Sequence, residues 1–200
     1  MKSKSHPASY YVINGITLYR VMAAPLLLLL IFTSEYEWFK WLLGISFFTD
    51  LIDGFLARKF KVTSVFGTRL DSIGDDLTIV VALIAMFYWK YDFIKLHLPE
   101  MILLLVLFIL QTTMAFLRYR TITSFHTYLA KLAAIFQGSF LLLLFFVQNP
   151  PIALFYAVVI ITSLELIEEC ILVVLLSKWT ANVKGLYWVL KQQKGKNATL

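Results

Sequence analysis

The sequence predicts an all-α, polytopic membrane protein with six transmembrane helices and a short N-terminal interfacial helix. Apolar residues make up 60% of the 200-residue chain and charged residues 15%, with a mean hydropathy of +0.79, whereas soluble domains are about 45–50% apolar and about 25% charged. A helix needs about 20 mostly apolar residues to cross the hydrocarbon core of a bilayer. The sequence offers six such segments, at residues 17–33, 38–58, 69–90, 100–117, 129–148 and 151–176.

Short polar or proline-containing breaks separate the six segments. The clearest is Asn149-Pro150-Pro151, because proline cannot continue a helix and disfavours it in the preceding residue. Residues 5–15 include Tyr10 and Tyr11, which indicates an interfacial helix ahead of the first segment. Residues 178–200 mix aromatic residues with lysines and form a basic interfacial tail or, over the last ten residues, a disordered one. We therefore expect one integral membrane domain over residues 1–200, ending in this tail.

Several classes of protein are excluded by composition. The low charge excludes a disordered chain or a coiled coil, and only 8 glycines and 5 prolines exclude a collagen-like chain. One cysteine, Cys170, excludes an intrachain disulfide framework and a cysteine-based zinc cluster. The net charge of +6 is accounted for by membrane topology, so nucleic acid is not an expected partner.

The distribution of basic residues predicts the orientation in the membrane, since Lys and Arg mark the cytoplasmic side. With six spans, 15 of the 18 basic residues fall on the side that holds both termini and the second and fourth connections, and only Lys40, Lys90 and Lys95 fall on the other. We therefore expect a multi-pass protein with both termini in the cytoplasm.

Acidic residues occur where a membrane helix should be apolar. Asp50 and Asp53 lie near the end of the second segment, and Asp71 and Asp75 lie near the start of the third. Asp50 is about 18 Å from the start of its segment at 1.5 Å per residue, which is too deep for a loop residue. A charge at the centre of a membrane helix costs about 2.5–3.5 kcal/mol or more, so such residues are usually functional.

The spacing of these acids predicts a metal site. Residues three or four apart share a helix face, and the two segments are joined by a short connection, so the two pairs can face each other at similar depth. Four carboxylates in a site of low dielectric constant cannot all stay ionised without cations. Oxygen ligands without His or Cys favour Mg²⁺ or Mn²⁺, and two such ions form a clamp for phosphoryl chemistry.

Glycine and arginine residues beside the acids suit a phosphate-containing ligand. Gly54 and Gly67 allow a ligand to approach the backbone closely, whereas Gly74 serves helix packing instead. Arg58, one turn beyond Gly54, can offer its guanidinium to a phosphate.

These residues together resemble the signature of the CDP-alcohol phosphatidyltransferase family. Every fixed position is present at the family's spacing, as Asp50-x2-Asp53-Gly54-x2-Ala57-Arg58-x8-Gly67-x3-Asp71-x3-Asp75. The six-segment layout is similar to the family over most of the chain. The resemblance implies six transmembrane helices, usually in a homodimer, with a polar cavity open to the cytoplasm. It also implies transfer of a phosphatidyl group, or a related phospho-group, from a CDP-linked donor to an alcohol, with release of CMP.

The resemblance assigns a role to each matching position. Asp50, Asp53, Asp71 and Asp75 would hold two divalent cations, and Asp75 would also be the base for the acceptor hydroxyl. The residues that would shape the CDP pocket are Gly54, Ala57, Arg58 and Gly67, together with Asn14, Thr17 and Arg20 at the entry to the first segment. The chain departs from many members at two positions that are not motif ligands: it has Ser72 where they have Pro, and Asp76 where they have Lys.

The acceptor alcohol is less well defined by the sequence. Arg118, Arg120 and Lys131 either bind an acceptor phosphate or only reflect membrane topology. The Arg-Glu-Ile and Gly-Lys-x-Lys-Thr motifs typical of phosphatidylglycerophosphate synthases are not intact in this chain. Glycerol 3-phosphate and inositol phosphate are therefore comparable candidates, with CDP-diacylglycerol as the donor and membrane lipids around the protein.

A second acidic stripe lies in the sixth segment, where Glu165, Glu168 and Glu169 share a helix face. It forms a structural network, or it contacts polyol hydroxyls or a cationic acceptor. Arg118, Arg120 and Lys131 are candidate partners for it.

Two other functions fit the acidic segments. A divalent-cation transporter would use the four aspartates as an ion path but would not need Gly54, Arg58 and Gly67 at their spacings. An inactive membrane scaffold would not need the intact motif.

Overall fold

The computed structural model describes the backbone of residues 8–60, 65–120, 125, 127–178, 180 and 183–197. Within the helices, the side chains of residues 8–14, 16, 17, 20, 50, 51, 53–60, 65–73, 75, 76 and 193–197 lie outside the described part. The described residues form eight helices and no β-strand. The helices are α1 (Ala8–Phe32), α2 (Tyr36–Phe60), α3 (Val65–Trp89), α4 (Tyr91–Leu96), α5 (Leu98–Tyr119), α6 (Tyr128–Phe146), α7 (Ile152–Leu175) and α8 (Leu186–Asn197).

The all-α prediction is confirmed, and each of the six expected segments corresponds to a helix of 19 to 25 residues. Two of them, α5 and α6, are long and apolar enough to cross a membrane. The described parts of α1 and α3 add shorter apolar stretches, Val21–Phe32 and Leu77–Trp89. In α5 only 11% of the apolar window is buried inside the protein, so most of its apolar surface faces outward, as expected for a helix in lipid.

Residues 8–15, expected to form an interfacial helix, are helical, but no break separates them from the first segment. The backbone is helical without a break from Ala8 to Phe32, so residues 8–15 are the first turns of α1. Gly15 lies within this helix, and a Cβ added there would meet no atom within 4 Å. The Asn14-Gly15 pair is typical of a helix end, but the helix continues through it into the first segment.

The chain forms two compact units, residues 1–94 and 95–200. In the first unit α1 packs along both α2 and α3, while α2 and α3 touch each other over a shorter length. At one end of this unit Trp89 of α3 packs against α2, with ring centroids 4.9 Å from Phe39 and 5.1 Å from Tyr36. The turn between α1 and α2 is fixed there as well, because the hydroxyls of Ser34 and Tyr88 are 3.0 Å apart.

In the second unit α7 packs against α5 and α6, and α8 packs more lightly on α7. A buried cluster holds α8 in place and consists of Ala115, Phe125, Leu172, Val173 and Val189. The tail predicted for residues 178–200 thus includes a helix, α8, that is anchored to the unit by a buried valine.

Gly185 lies just before α8 in a conformation that only glycine adopts easily, with φ +146°. A Cβ on this residue would lie 3.0 Å from Glu168 Oε1 and 3.4 Å from two carbons of the Trp188 ring. The backbone strain and the close approach both act against any side chain at this position.

We expect Gly185→Ala to lower the free energy of unfolding by about 1–3 kcal/mol, because a strained backbone position carries roughly that cost. The matched control is Gly15→Ala, where a Cβ meets nothing and alanine favours the helix by roughly 0.5–1 kcal/mol. Apparent melting temperatures in detergent should therefore move in opposite directions for the two variants. Equal shifts would contradict the assigned strain.

Candidate functional site

The aspartates and their neighbours lie on the three long helices of the first unit. Asp50 and Asp53 lie in α2, and Asp71 and Asp75 lie in α3. The other expected pocket positions are Gly54, Ala57 and Arg58 in α2, Gly67 in α3, and Asn14, Thr17 and Arg20 in α1. The side chains of these residues lie outside the described part, and helical register predicts only the helix face that each one occupies.

The described side chains of α2 define its buried face. Phe39, Leu43 and Ser46 are each 0% exposed, and they follow one another at spacings of four and three residues. Side chains at these spacings lie on one face of a helix. Continued by the same spacing, this buried row reaches Asp50 and then Asp53.

The buried face of α3 leads to the other two aspartates. Ala85, Ala82 and Thr78 are buried, and the same row continues at helical spacing through Asp75 to Asp71. Gly67 lies one further turn along this row. Helical register therefore predicts the aspartates of α3 on the face that is buried in the described half of the helix.

Asp76 belongs to a different face of α3. Counting back from the exposed residues Phe87, Leu83 and Val80 at spacings of four and three residues leads to Asp76. Helical register therefore predicts that Asp76, which departs from the family's pattern, is on the outward row and not on the row of Asp71 and Asp75.

The buried face of α1 follows the same rule. Ile31, Leu27 and Ala24 are at most 2% exposed, and their row continues through Arg20 to Thr17. Asn14 lies one turn before Thr17. Because α1 packs along both other helices, we expect Asn14, Thr17 and Arg20 to continue the face of α1 that packs against them.

The relative heights of the two aspartate pairs follow from the contact between Phe39 and Trp89. This contact joins the start of α2 to the end of α3, so the two helices run antiparallel. Asp53 and Asp75 are each fourteen residues from the contact, which is about 21 Å along either helix. Asp50 lies one turn nearer to the contact and Asp71 one turn farther away, so the two pairs meet at the level of Asp53 and Asp75.

Hydroxyl side chains mark the transition from the apolar core to the aspartates. Ser46 donates a hydrogen bond to the carbonyl of Leu42 at 2.9 Å, and Thr78 donates to the carbonyl of Gly74 at 2.8 Å. These bonds stay within one helix, so each buried hydroxyl is satisfied without a partner from a neighbour. Sequence reasoning missed both residues, although their spacing of four or three residues from Asp50 and Asp75 was a usable signal.

The expected acceptor-binding residues lie in the second unit, where α5 ends and α6 begins. Arg118 donates from Nε to the carbonyl of Leu176 at 3.1 Å, and Arg120 ends α5 in a left-handed conformation with φ 58°. Lys131 lies in the first turn of α6, with Nζ 5.6 Å from the centre of the Tyr128 ring. All three cations are exposed and are therefore accessible to an anion.

The glutamate stripe of α7 forms a network with amide groups. Glu169, 2% exposed, accepts hydrogen bonds from Gln111 Nε2 at 2.6 Å and from the backbone N–H of Phe125 at 2.9 Å. Glu168 accepts from the N–H of Leu186 at 2.8 Å. Among the described side chains these two carboxylates pair with amides and not with the basic residues, which supports the structural interpretation of the stripe.

The described side chains contain no group of three or more His, Cys, Asp or Glu residues arranged to hold a metal ion. The glutamate stripe of α7 does not form such a group. The side chains of the four aspartates of α2 and α3 lie outside the described part.

Comparison with known proteins gives a family match over most of the chain. The sequence profile of the CDP-alcohol phosphatidyltransferase family matches residues 10–184. Curated relatives include two proteins named CDP-diacylglycerol–glycerol-3-phosphate 3-phosphatidyltransferase. The one from Pseudomonas fluorescens is 37% identical over 78 residues, and the one from Cereibacter sphaeroides is 36% identical over 75 residues.

These alignments cover only part of each protein. The first covers 36% of this chain and 39% of the relative, and the second covers 36% and 34%. The chain thus spans less than two fifths of the length of these two relatives. No solved structure matches the chain.

Proposed function

Because this chain belongs to the CDP-alcohol phosphatidyltransferase family, we propose that it transfers the phosphatidyl group of CDP-diacylglycerol to a small polar alcohol and releases CMP. The single observation that supports this most directly is the register of α1, α2 and α3. In each helix the row that is buried in the described half leads to the polar residues of the family signature. Three polar rows from packed helices suit one shared site for a charged ligand.

The donor set of this site fits the two divalent cations that the family resemblance implies. Asp50, Asp53, Asp71 and Asp75 would supply only carboxylate oxygens, the ligand type that Mg²⁺ and Mn²⁺ prefer. Bound cations would neutralise the pyrophosphate of the donor and the charge that grows on the departing CMP. The meeting of the two aspartate pairs at the level of Asp53 and Asp75 supports their acting on one pair of ions.

Asp75 would act as the base in this reaction. It would take the proton of the acceptor hydroxyl, whose oxygen forms the new bond to the phosphorus carrying the lipid. The bond from that phosphorus to the CMP oxygen breaks, and CMP leaves with the electron pair. Gly54 and Gly67 would leave room for the nucleotide, and Arg58 and Arg20 would offer their guanidinium groups to its phosphates.

The membrane arrangement is part of the same proposal. All six long helices would cross the bilayer, with both termini and the aspartates toward the cytoplasm, as the distribution of basic residues indicates. The outward apolar surface of α5 supports contact with lipid. This placement would keep the acyl chains of the donor in the bilayer while its nucleotide reaches water. A homodimer, expected from the family resemblance, belongs to this proposal and is testable by mass measurement in detergent.

We propose glycerol 3-phosphate as the acceptor. The support comes from the printed names of the curated relatives and from the exposed cations Arg118, Arg120 and Lys131, which suit a phosphate-bearing alcohol. Inositol phosphate carries the same phosphate chemistry and is the main competitor. The chain lacks the intact sequence motifs typical of phosphatidylglycerophosphate synthases, so inositol phosphate needs a direct test.

The test incubates the purified protein with CDP-diacylglycerol, Mg²⁺ or Mn²⁺, and a panel of alcohols, and measures both CMP release and the mass of the lipid product. We expect CMP release with glycerol 3-phosphate and formation of phosphatidylglycerophosphate. Product with inositol phosphate alone would overturn the acceptor but keep the reaction class. No CMP with any alcohol, combined with Mg²⁺ or Mn²⁺ flux into protein-containing vesicles, would favour the cation transporter. Absence of both CMP release and cation flux would favour the inactive scaffold.

A further inference from the structure

Two adjacent carboxylates of α7 each hold the backbone of a different connection in the second unit. Glu169 accepts a hydrogen bond from the N–H of Phe125, between α5 and α6, at 2.9 Å. Glu168 accepts one from the N–H of Leu186, at the start of α8, at 2.8 Å. We call Glu168 and Glu169 the carboxylate clamp. Both bonds join residues far apart in the chain, so the clamp fixes segments that local sequence cannot.

The connection between α5 and α6 is further fixed on either side of the clamp. The Phe125 side chain is fully buried against Leu172 and Val173. Thr127 is also buried and caps α6 by accepting a hydrogen bond from the N–H of Ala130 at 3.1 Å. This part of the connection is therefore built into the core of the unit.

The two clamped connections also contact each other. The N–H of Tyr128 donates to the carbonyl of Lys184 at 3.3 Å, and the rings of Tyr128 and Trp188 are 5.4 Å apart. Displacement of one connection would therefore disturb the other.

The clamped segments carry exposed cations at one end of the unit. Arg118 and Arg120 lie just before the segment that Glu169 holds, Lys131 lies just after it, and Lys184 lies just before the segment that Glu168 holds. All four are exposed. Arg118 and Lys131 lie in the helices that flank the first connection, and Arg120 and Lys184 lie in the connections themselves. A phosphate held by several cations needs a constant spacing between them, and this spacing depends on how the two connections are held.

We infer that Glu168 and Glu169 are positioning residues that hold the connections so that Arg118, Arg120 and Lys131 bind the phosphate of the acceptor. This inference rests on the proposed function. The clamp acts through hydrogen-bond acceptance and not through charge, because its described partners are neutral amides. A glutamine should therefore replace Glu169 well. Its side-chain oxygen can accept the hydrogen bond from the N–H of Phe125, and its side-chain NH₂ can donate to Gln111 once the Gln111 amide has turned its oxygen toward it.

The test compares Glu169→Leu with Glu169→Gln. The leucine variant leaves the Phe125 N–H without its acceptor, and we expect it to raise the KM for glycerol 3-phosphate by at least about tenfold, since ångström-scale displacement of a positioning group commonly costs one to two orders of magnitude. The KM for CDP-diacylglycerol should stay near its normal value. The glutamine variant should recover most of the acceptor affinity. The matched control is Thr162→Val. It removes the hydrogen bond that Gln137 Nε2 of α6 donates to Thr162 Oγ1 of α7 at 2.8 Å, and this bond involves neither connection.

Amide hydrogen exchange separates failure of this inference from failure of the proposed function. We expect the Phe125 amide to exchange faster in Glu169→Leu and the Leu186 amide to exchange faster in Glu168→Leu, with neither change in Thr162→Val. Unchanged exchange would overturn the clamp even in an active enzyme. If the normal protein has no transferase activity, the proposed function fails and the exchange experiment still decides whether the clamp exists.

Two further outcomes would overturn the inference. Faster exchange with an unchanged KM for the acceptor would make the clamp a purely structural feature. An equal loss in Glu169→Gln and Glu169→Leu would mean that the charge of Glu169, and not its acceptance of hydrogen bonds, is needed. If Glu169→Leu fails to fold, Glu168→Leu replaces it in the same kinetic and exchange measurements, because Glu168 is only half-buried.

Discussion

Replacing Asp75 with asparagine should reduce CMP release by at least about a thousandfold, because a positioned general base alone contributes about 10²–10⁴ in rate and the carboxylate is also an expected metal ligand. An amide of the same shape neither takes up the proton nor neutralises a divalent cation. Asp71→Asn should have an effect of similar size through loss of the metal ligand. CMP release in detergent, at saturating CDP-diacylglycerol and acceptor, measures both effects.

The control for these variants is Asp76→Asn. It removes the same charge from the position next to Asp75, but helical register predicts Asp76 on the row of the exposed residues Val80, Leu83 and Phe87. This variant should keep most of the activity, and all variants should insert into membranes and purify in equal yield. Substantial turnover in Asp75→Asn, or equal losses in Asp75→Asn and Asp76→Asn, would reject the register assignment.

Removal of divalent cations should abolish CMP release altogether, since the carboxylates would then repel the donor pyrophosphate and one another. Treatment with EDTA followed by dialysis should leave an inactive protein, and added Mg²⁺ or Mn²⁺ should restore it. The protein alone should bind about two Mn²⁺ ions per chain, as expected for a two-metal clamp, by electron paramagnetic resonance. Asp71→Asn should bind fewer, and Asp76→Asn should bind as many as the normal protein.

The binding measurement separates two explanations of lost activity. Full activity after complete metal removal would contradict a metal-dependent reaction. Normal Mn²⁺ binding in Asp71→Asn would leave the reaction metal-dependent but remove that residue from the site.

The long helices could be predicted because each is a long apolar run ended by local signals. Asn149-Pro150-Pro151 separates α6 from α7, and α7 begins at Ile152 as the prolines require. The short helix α4 and the anchored helix α8 were not predicted. Six residues of α4 carry little pattern, and α8 depends on the burial of Val189 against residues of α5 and α7, which no local window contains.

The candidate site was predictable in its composition and only partly in its arrangement. Spacing alone paired Asp50 with Asp53 and Asp71 with Asp75, but the faces that these pairs occupy required the burial of Ser46 and Thr78. The partners of the α7 glutamates were beyond prediction from sequence. Phe125 and Glu169 are 44 residues apart, and neither residue type indicates that a backbone amide would meet a carboxylate there.

The packed helices α1 and α3 bury four alanines, Ala23, Ala24, Ala82 and Ala85. Small side chains let two helix backbones approach closely, and a larger residue at any of these positions would drive the helices apart far from the aspartates themselves. Substitutions along α3 should therefore be tolerated mainly on its exposed row, which includes Val80, Leu83 and Phe87. Variants with altered substrate specificity should accordingly arise at the polar ends of these helices or in the second unit, and seldom at the four buried alanines.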